Sequence, residues 1–148
     1  MTAYIVAVVH LLTFGLGFGS CWARANGLKK LKDASGLPAV FAADNFWGIA
    51  SLLWLSTGFW RVLGGLAKGS EYYFNSTAFY IKMGIFVLIL LLELKPMITL
   101  IKWRSQFKKE QSIDFSAAPL MAKLTYIELI LLIPMVFMAA AMARGMWY

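Results

Sequence analysis

The stretch TAFYIKMGIFVLILLLELKPMITLI, residues Thr77–Ile101, decides the fold of this chain. As a helix it is long enough to cross about 30 Å of hydrocarbon, at about 1.5 Å per residue. Because lipid offers the backbone no hydrogen-bond partners, a spanning segment must be a helix or part of a closed barrel. The apolar residues run continuously and do not alternate, so the stretch predicts a spanning helix. It also carries Lys82 and Glu93, two charges that need an explanation.

Three further apolar runs of similar length predict three more spans. Of the 148 residues, 61% are hydrophobic and only 14% are charged, against about 25% in a typical soluble domain. We therefore predict an all-α integral membrane protein, a single domain over residues 1–148 that folds as an antiparallel four-helix bundle. The predicted spans cover about residues 4–23, 40–63, 77–101 and 119–143.

The positive charges of the chain, which has a net charge of +7, are concentrated in two connections. After the first span these are Arg24, Lys29, Lys30 and Lys32, and after the third span Lys102, Arg104, Lys108 and Lys109. Because positive loops stay in the cytoplasm, we predict a bacterial inner (cytoplasmic) membrane protein with both termini on the outer, periplasmic side. Topology and anionic lipid explain these loops, so they do not indicate nucleic-acid binding.

Ionisable side chains within a span usually face the bundle interior and often mark function. His10 and Lys82 lie at similar depths, roughly 9 Å and 7 Å from the outer ends of their helices. Arg61 lies near the same end of the second span. The sequence therefore predicts that these three side chains meet in an outer layer of the bundle.

The acidic residues of the spans predict a second, inner layer. Glu93 lies in the inner half of the third span and Glu128 near the middle of the fourth, with Arg24 and Asp44 at the cytoplasmic rim. Helical periodicity gives each helix one polar stripe, so we predict a buried polar seam that contains Asp44, Glu93 and Glu128.

Each of these residues also has a plain structural explanation. Lys82 could extend its amine to the interface, His10 could be an interhelical hydrogen-bonding group, and Glu128 could simply be paired or protonated. Similarly, the small residues at the ends of Gly15–Gly19 have a spacing that predicts close helix packing. The coincidence of His, Arg and Lys at one depth on three helices nevertheless favours a site.

A haem would use such a layer, since it needs an axial nitrogen or sulfur ligand and cations for its two propionates. His10 could ligate the iron, while Arg61 and Lys82 could bind the propionates. The chain has one His, so a site with two His ligands from one chain is excluded. The sixth position would be open or filled by Met83, Lys82 or a second protomer.

Two segments resemble a family of small bacterial inner-membrane proteins with no assigned function: DNFWGIASLLWLSTGFWRV (44–62) and KGSEYYFNSTAFYIKMGIFVLILLLELKP (68–96). The family pattern corresponds here to Asp44, Trp47-Gly48, Thr57-Gly58, Arg61, Lys68-Gly69, Tyr73, Asn75, Phe79, Lys82, Gly84 and Pro96. More distantly, the layout is similar to HemJ-type protoporphyrinogen oxidases and CopD-like membrane domains. The HemJ resemblance implies a haem b pocket with His10, Lys82 and Arg24. The segments CWARANG and IELILLIP depart from the HemJ pattern, so the oxidase activity is not carried over.

We therefore predict a membrane protein that binds haem b and acts in redox chemistry or haem handling. The first alternative is a non-catalytic accessory subunit of a larger, respiratory-type membrane complex. The second is a small proton-coupled carrier with Glu93 and Glu128 as proton carriers. The predicted partners are the lipid bilayer and either a second copy of the chain or that larger complex.

Overall fold

The computed structural model describes residues 1–147, and this part of the chain contains helices and no strand. The helices are α1 (Thr2–Lys30), α2 (Leu37–Leu63), α3 (Ser70–Phe74), α4 (Thr77–Lys108) and α5 (Ala118–Ala143), and a short 3-10 turn (Ala34–Gly36) precedes α2. All but α3 are long and apolar enough to cross a membrane. The prediction of an all-α protein with four spanning helices is confirmed.

Two helices extend well beyond the spans predicted from hydropathy. α1 continues to Lys30 and α4 to Lys108, whereas the spans were predicted to end at about residues 23 and 101. Hydropathy indicates where the apolar run ends, which is not necessarily where the helix ends. The lysines, arginine and glutamine that follow have good helix propensity, so the helix itself continues.

Both loops on the basic side of the bundle share one local structure. The motif Asp-x-Ser-x-x-Pro occurs as Asp33, Ser35 and Pro38 before α2, and as Asp114, Ser116 and Pro119 before α5. In each loop the aspartate accepts hydrogen bonds from the serine amide and hydroxyl. The hydroxyl and amide of Ser35 hold the pKa of Asp33 below its usual value, as the amide and hydroxyl of Ser116 do for Asp114. The hairpins α1–α2 and α4–α5 are therefore alike at their turns.

The four long helices do not form a closed ring of packed neighbours. α1 packs along both α2 and α5, and α4 packs along α5, but α2 and α4 do not pack along each other. The bundle is therefore two antiparallel hairpins joined through α1 and α5. A gap remains between α2 and α4, and the polar residues of the spans lie along it.

Glycines let α1 approach α2 closely, although they are not the glycines expected from sequence. A Cβ at Gly17 would lie 3.5 Å from Ala50, and one at Gly27 would lie 2.9 Å from Val40. Gly15 and Gly19 face open space, so the close packing predicted from their spacing was wrong. The face of α1 turned toward α2 carries Gly17 instead.

The orientation of the bundle in the membrane stays a prediction that a pair of fusions can test. We expect alkaline phosphatase fused after the C-terminus to be active in bacterial cells, because the basic loops at the opposite end should stay in the cytoplasm. The same enzyme inserted at the exposed Gln111, in the α4–α5 loop, should be inactive. The reverse pattern would contradict the predicted topology.

Candidate functional site

The guanidinium of Arg24 lies at the centre of a buried group of charges. Its Nη1 donates hydrogen bonds to Asp44 Oδ1 at 2.9 Å and to Glu93 Oε1 at 2.7 Å. Its Nη2 donates to Glu93 Oε2 at 2.6 Å and to Glu128 Oε2 at 2.8 Å. Both Arg24 and Glu128 are fully buried. One side chain of α1 therefore connects α2, α4 and α5.

A second arginine completes this group, which we call the Arg24 cluster: Arg24, Asp44, Glu93, Arg104 and Glu128. Arg104 Nη2 on α4 donates to Asp44 Oδ2 and to the carbonyl oxygen of Phe41 on α2, both at 2.9 Å. The buried ring of Trp47 covers Arg24, with 5.6 Å between its centroid and the guanidinium carbon, within cation–π range. Ion pairs thus bridge the α2–α4 gap at its inner end.

The structure brings together the three acidic residues that the sequence placed in a polar seam, Asp44, Glu93 and Glu128. It differs in the position of Arg24, which was expected at the cytoplasmic rim and is instead fully buried among these carboxyls. The reason is the length of α1. Since the helix continues to Lys30, Arg24 lies more than a turn before its end and faces the interior.

The three residues predicted for the outer layer also line one cavity. This outer cavity has a volume of about 380 Å³, and His10 of α1, Arg61 of α2 and Lys82 of α4 all contribute to its wall. Its size is within the range of about 300–1,000 Å³ that is common for cofactor and ligand sites. Much of the remaining wall is aromatic or sulfur-containing, from Trp54, Phe79, Met83, Phe86 and Met135.

His10 is held in one orientation by two residues of α2. Its Nδ1 lies 2.8 Å from the Thr57 hydroxyl, and its ring stacks on Trp54 with 5.6 Å between centroids. The Thr57 hydroxyl lies 2.7 Å from the carbonyl oxygen of Leu53 and 3.1 Å from that of Trp54. When it donates its single proton to either of them, it accepts from His10. In that arrangement the imidazole proton is on Nδ1 and the lone pair is on Nε2.

Glycine and lysine complete the surroundings of the imidazole. A Cβ at Gly58 would lie 3.3 Å from His10 Cε1, so the missing side chain makes room for the ring beside α2. Lys82 Nζ lies 5.8 Å from the centroid of the Trp54 ring. Because this amine stands over Trp54 in the cavity wall, Lys82 contributes a positive charge to the same space as His10.

A second cavity continues along the gap toward the Arg24 cluster. This inner cavity of about 340 Å³ is lined by Asp44 and Glu93 at one end. Trp54 and Phe86 line both cavities, and their rings meet edge to face with 6.4 Å between centroids. The two cavities therefore lie in series, with this aromatic pair between them.

The segment between α2 and α4 is fastened over the outer end of α5. The amine of Lys68 and the hydroxyl of Tyr72 both donate to the carbonyl oxygen of Met142, at 3.1 Å and 2.7 Å. The amide of Thr77 donates to the carbonyl oxygen of Trp147 at 3.0 Å. Lys68 and Met142 also line the outer cavity, so this segment closes part of its outer end.

Sequence reasoning missed the partners that hold the predicted residues in place. Trp54, Thr57 and Gly58 precede Arg61 at helical spacings of seven, four and three, which puts all four on one side of α2. That spacing can be recognised in the sequence. The hydrogen bond between His10 and Thr57 cannot be predicted from sequence, because it depends on how α1 and α2 are rotated against each other.

Four long apolar helices that enclose a buried charge cluster and an aromatic-walled cavity define a multi-pass integral membrane protein. The chain belongs to the family described as "Predicted membrane protein (DUF2214)", whose pattern it matches over residues 2–146. No curated protein and no solved structure matches the chain significantly. The family match confirms the resemblance to an uncharacterised membrane-protein family and a lipid environment. The likeness to HemJ-type oxidases and CopD-like domains, and the bacterial inner membrane, stay predictions.

Removal of the central guanidinium should destabilise the protein strongly. We expect Arg24→Gln to lower the free energy of unfolding by about 3–5 kcal/mol, because breaking a buried ion pair leaves uncompensated buried charge. Unfolding of the purified protein in detergent micelles, followed by circular dichroism, measures this. Lys30→Gln is the matched control, since Lys30 is exposed on the same helix and should change stability by no more than about 0.5 kcal/mol. Equal stability of the two variants would contradict a central role for Arg24.

Proposed function

We propose that this membrane protein binds haem b in the outer cavity and acts in redox chemistry or haem handling. The observation that carries the proposal is the convergence of His10, Arg61 and Lys82 on one aromatic-walled cavity. A single imidazole could ligate the haem iron, and two nearby cations could pair with its two propionates.

The orientation of His10 supports a role as axial ligand. With the ring proton on Nδ1 and donated to Thr57, the lone pair of Nε2 is the one that can bind iron. A ligating histidine in proteins usually donates its other ring N–H to a neighbouring acceptor, which fixes the tautomer and the ring orientation. Thr57 would serve that purpose here. Met83 and Met135 line the same cavity and offer thioether sulfurs as further ligands.

The charge and shape of the cavity support an acidic, flat, largely apolar ligand. Arg61 and Lys82 bring two positive charges, and Trp54, Phe79 and Phe86 bring aromatic surface. Because α2 and α4 do not pack along each other, a ligand dissolved in the bilayer could enter sideways between them. When bound, haem would supply one-electron transfer, while this chain's residues would ligate the iron, neutralise the propionates and exclude water.

A reduced-minus-oxidised absorption spectrum of the purified protein tests the proposal directly. We expect a b-type haem spectrum that is absent in His10→Ala, because the only imidazole of the chain is then lost. A flat spectrum in well-folded wild-type protein, also after incubation with added haem, would overturn the proposal. The accessory-subunit alternative would then be favoured, and co-purification of stable partner subunits would support it.

The hydrogen bond between Thr57 and His10 provides a finer test. We expect Thr57→Val to weaken haem affinity by about tenfold or more, as loss of a partner that orients a metal ligand typically does. Titration of apoprotein with haem, followed by absorbance, measures the change. Ser56→Ala is the matched control, because Ser56 directly precedes Thr57 on α2, is exposed, and donates its hydroxyl to the carbonyl oxygen of Leu52 in its own helix. An equal effect of both substitutions would exclude a specific role for Thr57.

The proposed role of Lys82 as a cation for a haem propionate can be tested against a matched lysine. Lys82→Gln should lower haem occupancy, since it removes a charge from the cavity wall, while Lys95→Gln should not, because Lys95 is exposed on the same helix. Haem content per protein, measured by pyridine haemochrome absorbance, gives the occupancy. If Lys82→Gln retained full occupancy, the assignment of Lys82 to a propionate would be wrong.

A further inference from the structure

The Arg24 cluster contains more acidic groups than basic ones. Three carboxyls, those of Asp44, Glu93 and Glu128, lie against two guanidiniums, those of Arg24 and Arg104. A net buried charge is costly in a medium of low dielectric constant, and a group so placed tends to neutralise. The imbalance disappears if one of the three carboxyls carries a proton.

The hydrogen bonds indicate which carboxyl has room for that proton. Both oxygens of Glu93 accept from Arg24, and both oxygens of Asp44 accept from an arginine. Glu128 uses only Oε2, and its Oε1 has no hydrogen-bond partner within residues 1–147 although it is fully buried. Near it, Arg24 Nε and Thr125 Oγ1 are also buried and have no hydrogen-bond partner within residues 1–147.

The surroundings of Glu128 come from all four long helices. α1 contributes Arg24 and also Cys21, whose thiol approaches the carbonyl oxygen of Thr125 at 3.5 Å. α2 contributes Asp44, and α4 contributes Glu93 and, through Asp44, Arg104. The carboxyls therefore share one pair of guanidiniums, and any proton in the cluster belongs to the group as a whole.

A route for the proton is visible in the exposure of the side chains. Arg24 and Glu128 are 0% exposed, whereas Asp44 and Glu93 are 20% and 17% exposed, and both line the inner cavity. Glu93 Oε2 and Glu128 Oε2 both accept from Arg24 Nη2, so these two carboxyls lie side by side. A proton that reaches Glu93 from the inner cavity can therefore pass directly to Glu128.

We propose that the Arg24 cluster is a binding site for one exchangeable proton, which is seated on Glu128 and reached from the inner cavity through Glu93. The site is separate from the outer cavity and does not depend on haem. The rings of Trp54 and Phe86 lie between the inner cavity, which borders the Arg24 cluster, and the outer cavity, which contains His10.

Infrared spectroscopy of haem-free protein in lipid nanodiscs tests the proposal. We expect a carbonyl stretch of a protonated carboxylic acid at neutral pH that shifts on transfer to D₂O and disappears in Glu128→Gln. Glu71→Gln is the control, since Glu71 is an exposed residue of α3, and it should leave the band unchanged. If Glu128→Gln is not recovered folded, Glu93→Gln takes its place, because it also leaves two carboxylates for two guanidiniums.

Each remaining outcome overturns the proposal. Absence of the band in wild-type protein at neutral pH would mean that all three carboxyls are ionised. A band that survives in a folded cluster variant would come from elsewhere in the chain. A band that does not shift in D₂O would belong to a proton sealed from the inner cavity. Because the protein contains no haem in this experiment, its result is independent of the test in the preceding subsection.

Discussion

The hydrogen bonds of the Arg24 guanidinium are the constraint on which the arrangement of the helices depends. The backbones of α2 and α4 approach each other closely at few positions, and their inner ends are joined by the bonds of Arg104 and by the Phe41–Phe107 ring contact. Arg24 reaches Asp44, Glu93 and Glu128 at once, and Arg104 adds a second bridge to Asp44. A buried ion pair is tolerated only when good geometry and additional hydrogen bonds compensate for lost hydration. Here the two bonds from Arg24 to Glu93 supply good geometry, while Arg24 Nε and Glu128 Oε1 are without a partner within residues 1–147.

The gap between α2 and α4, which these hydrogen bonds bridge, also contains the two cavities of the protein. From the Arg24 cluster the gap continues as an inner cavity, passes the Trp54–Phe86 pair, and opens into the outer cavity around His10. Its two ends differ in character, since the inner end has an excess of carboxyls and the outer end carries Arg61 and Lys82. The proposed haem and proton sites both lie in this gap between the two helical hairpins.

Several local features could be predicted from sequence because they depend only on helix periodicity and chain composition. The depths of His10 and Lys82, counted along their own helices, were enough to place them in one layer. Other expectations failed where a rotation of one helix against another was needed. Gly17 faces α2 and Gly15 does not, although both belong to the same small-residue run. Arg24 was misplaced because hydropathy marks the end of an apolar run and α1 continues beyond it.

The sequence by itself determined the membrane class, the four spanning helices and the common level of His10, Arg61 and Lys82 along the bundle. Those properties follow from apolar length and from the rise per residue of a helix. Only the tertiary structure decided that Arg24 gathers three carboxyls, that Thr57 orients His10, and that α2 and α4 remain apart. These contacts join residues distant in sequence, and they depend on the rotation and crossing of helices, which periodicity along one helix does not specify.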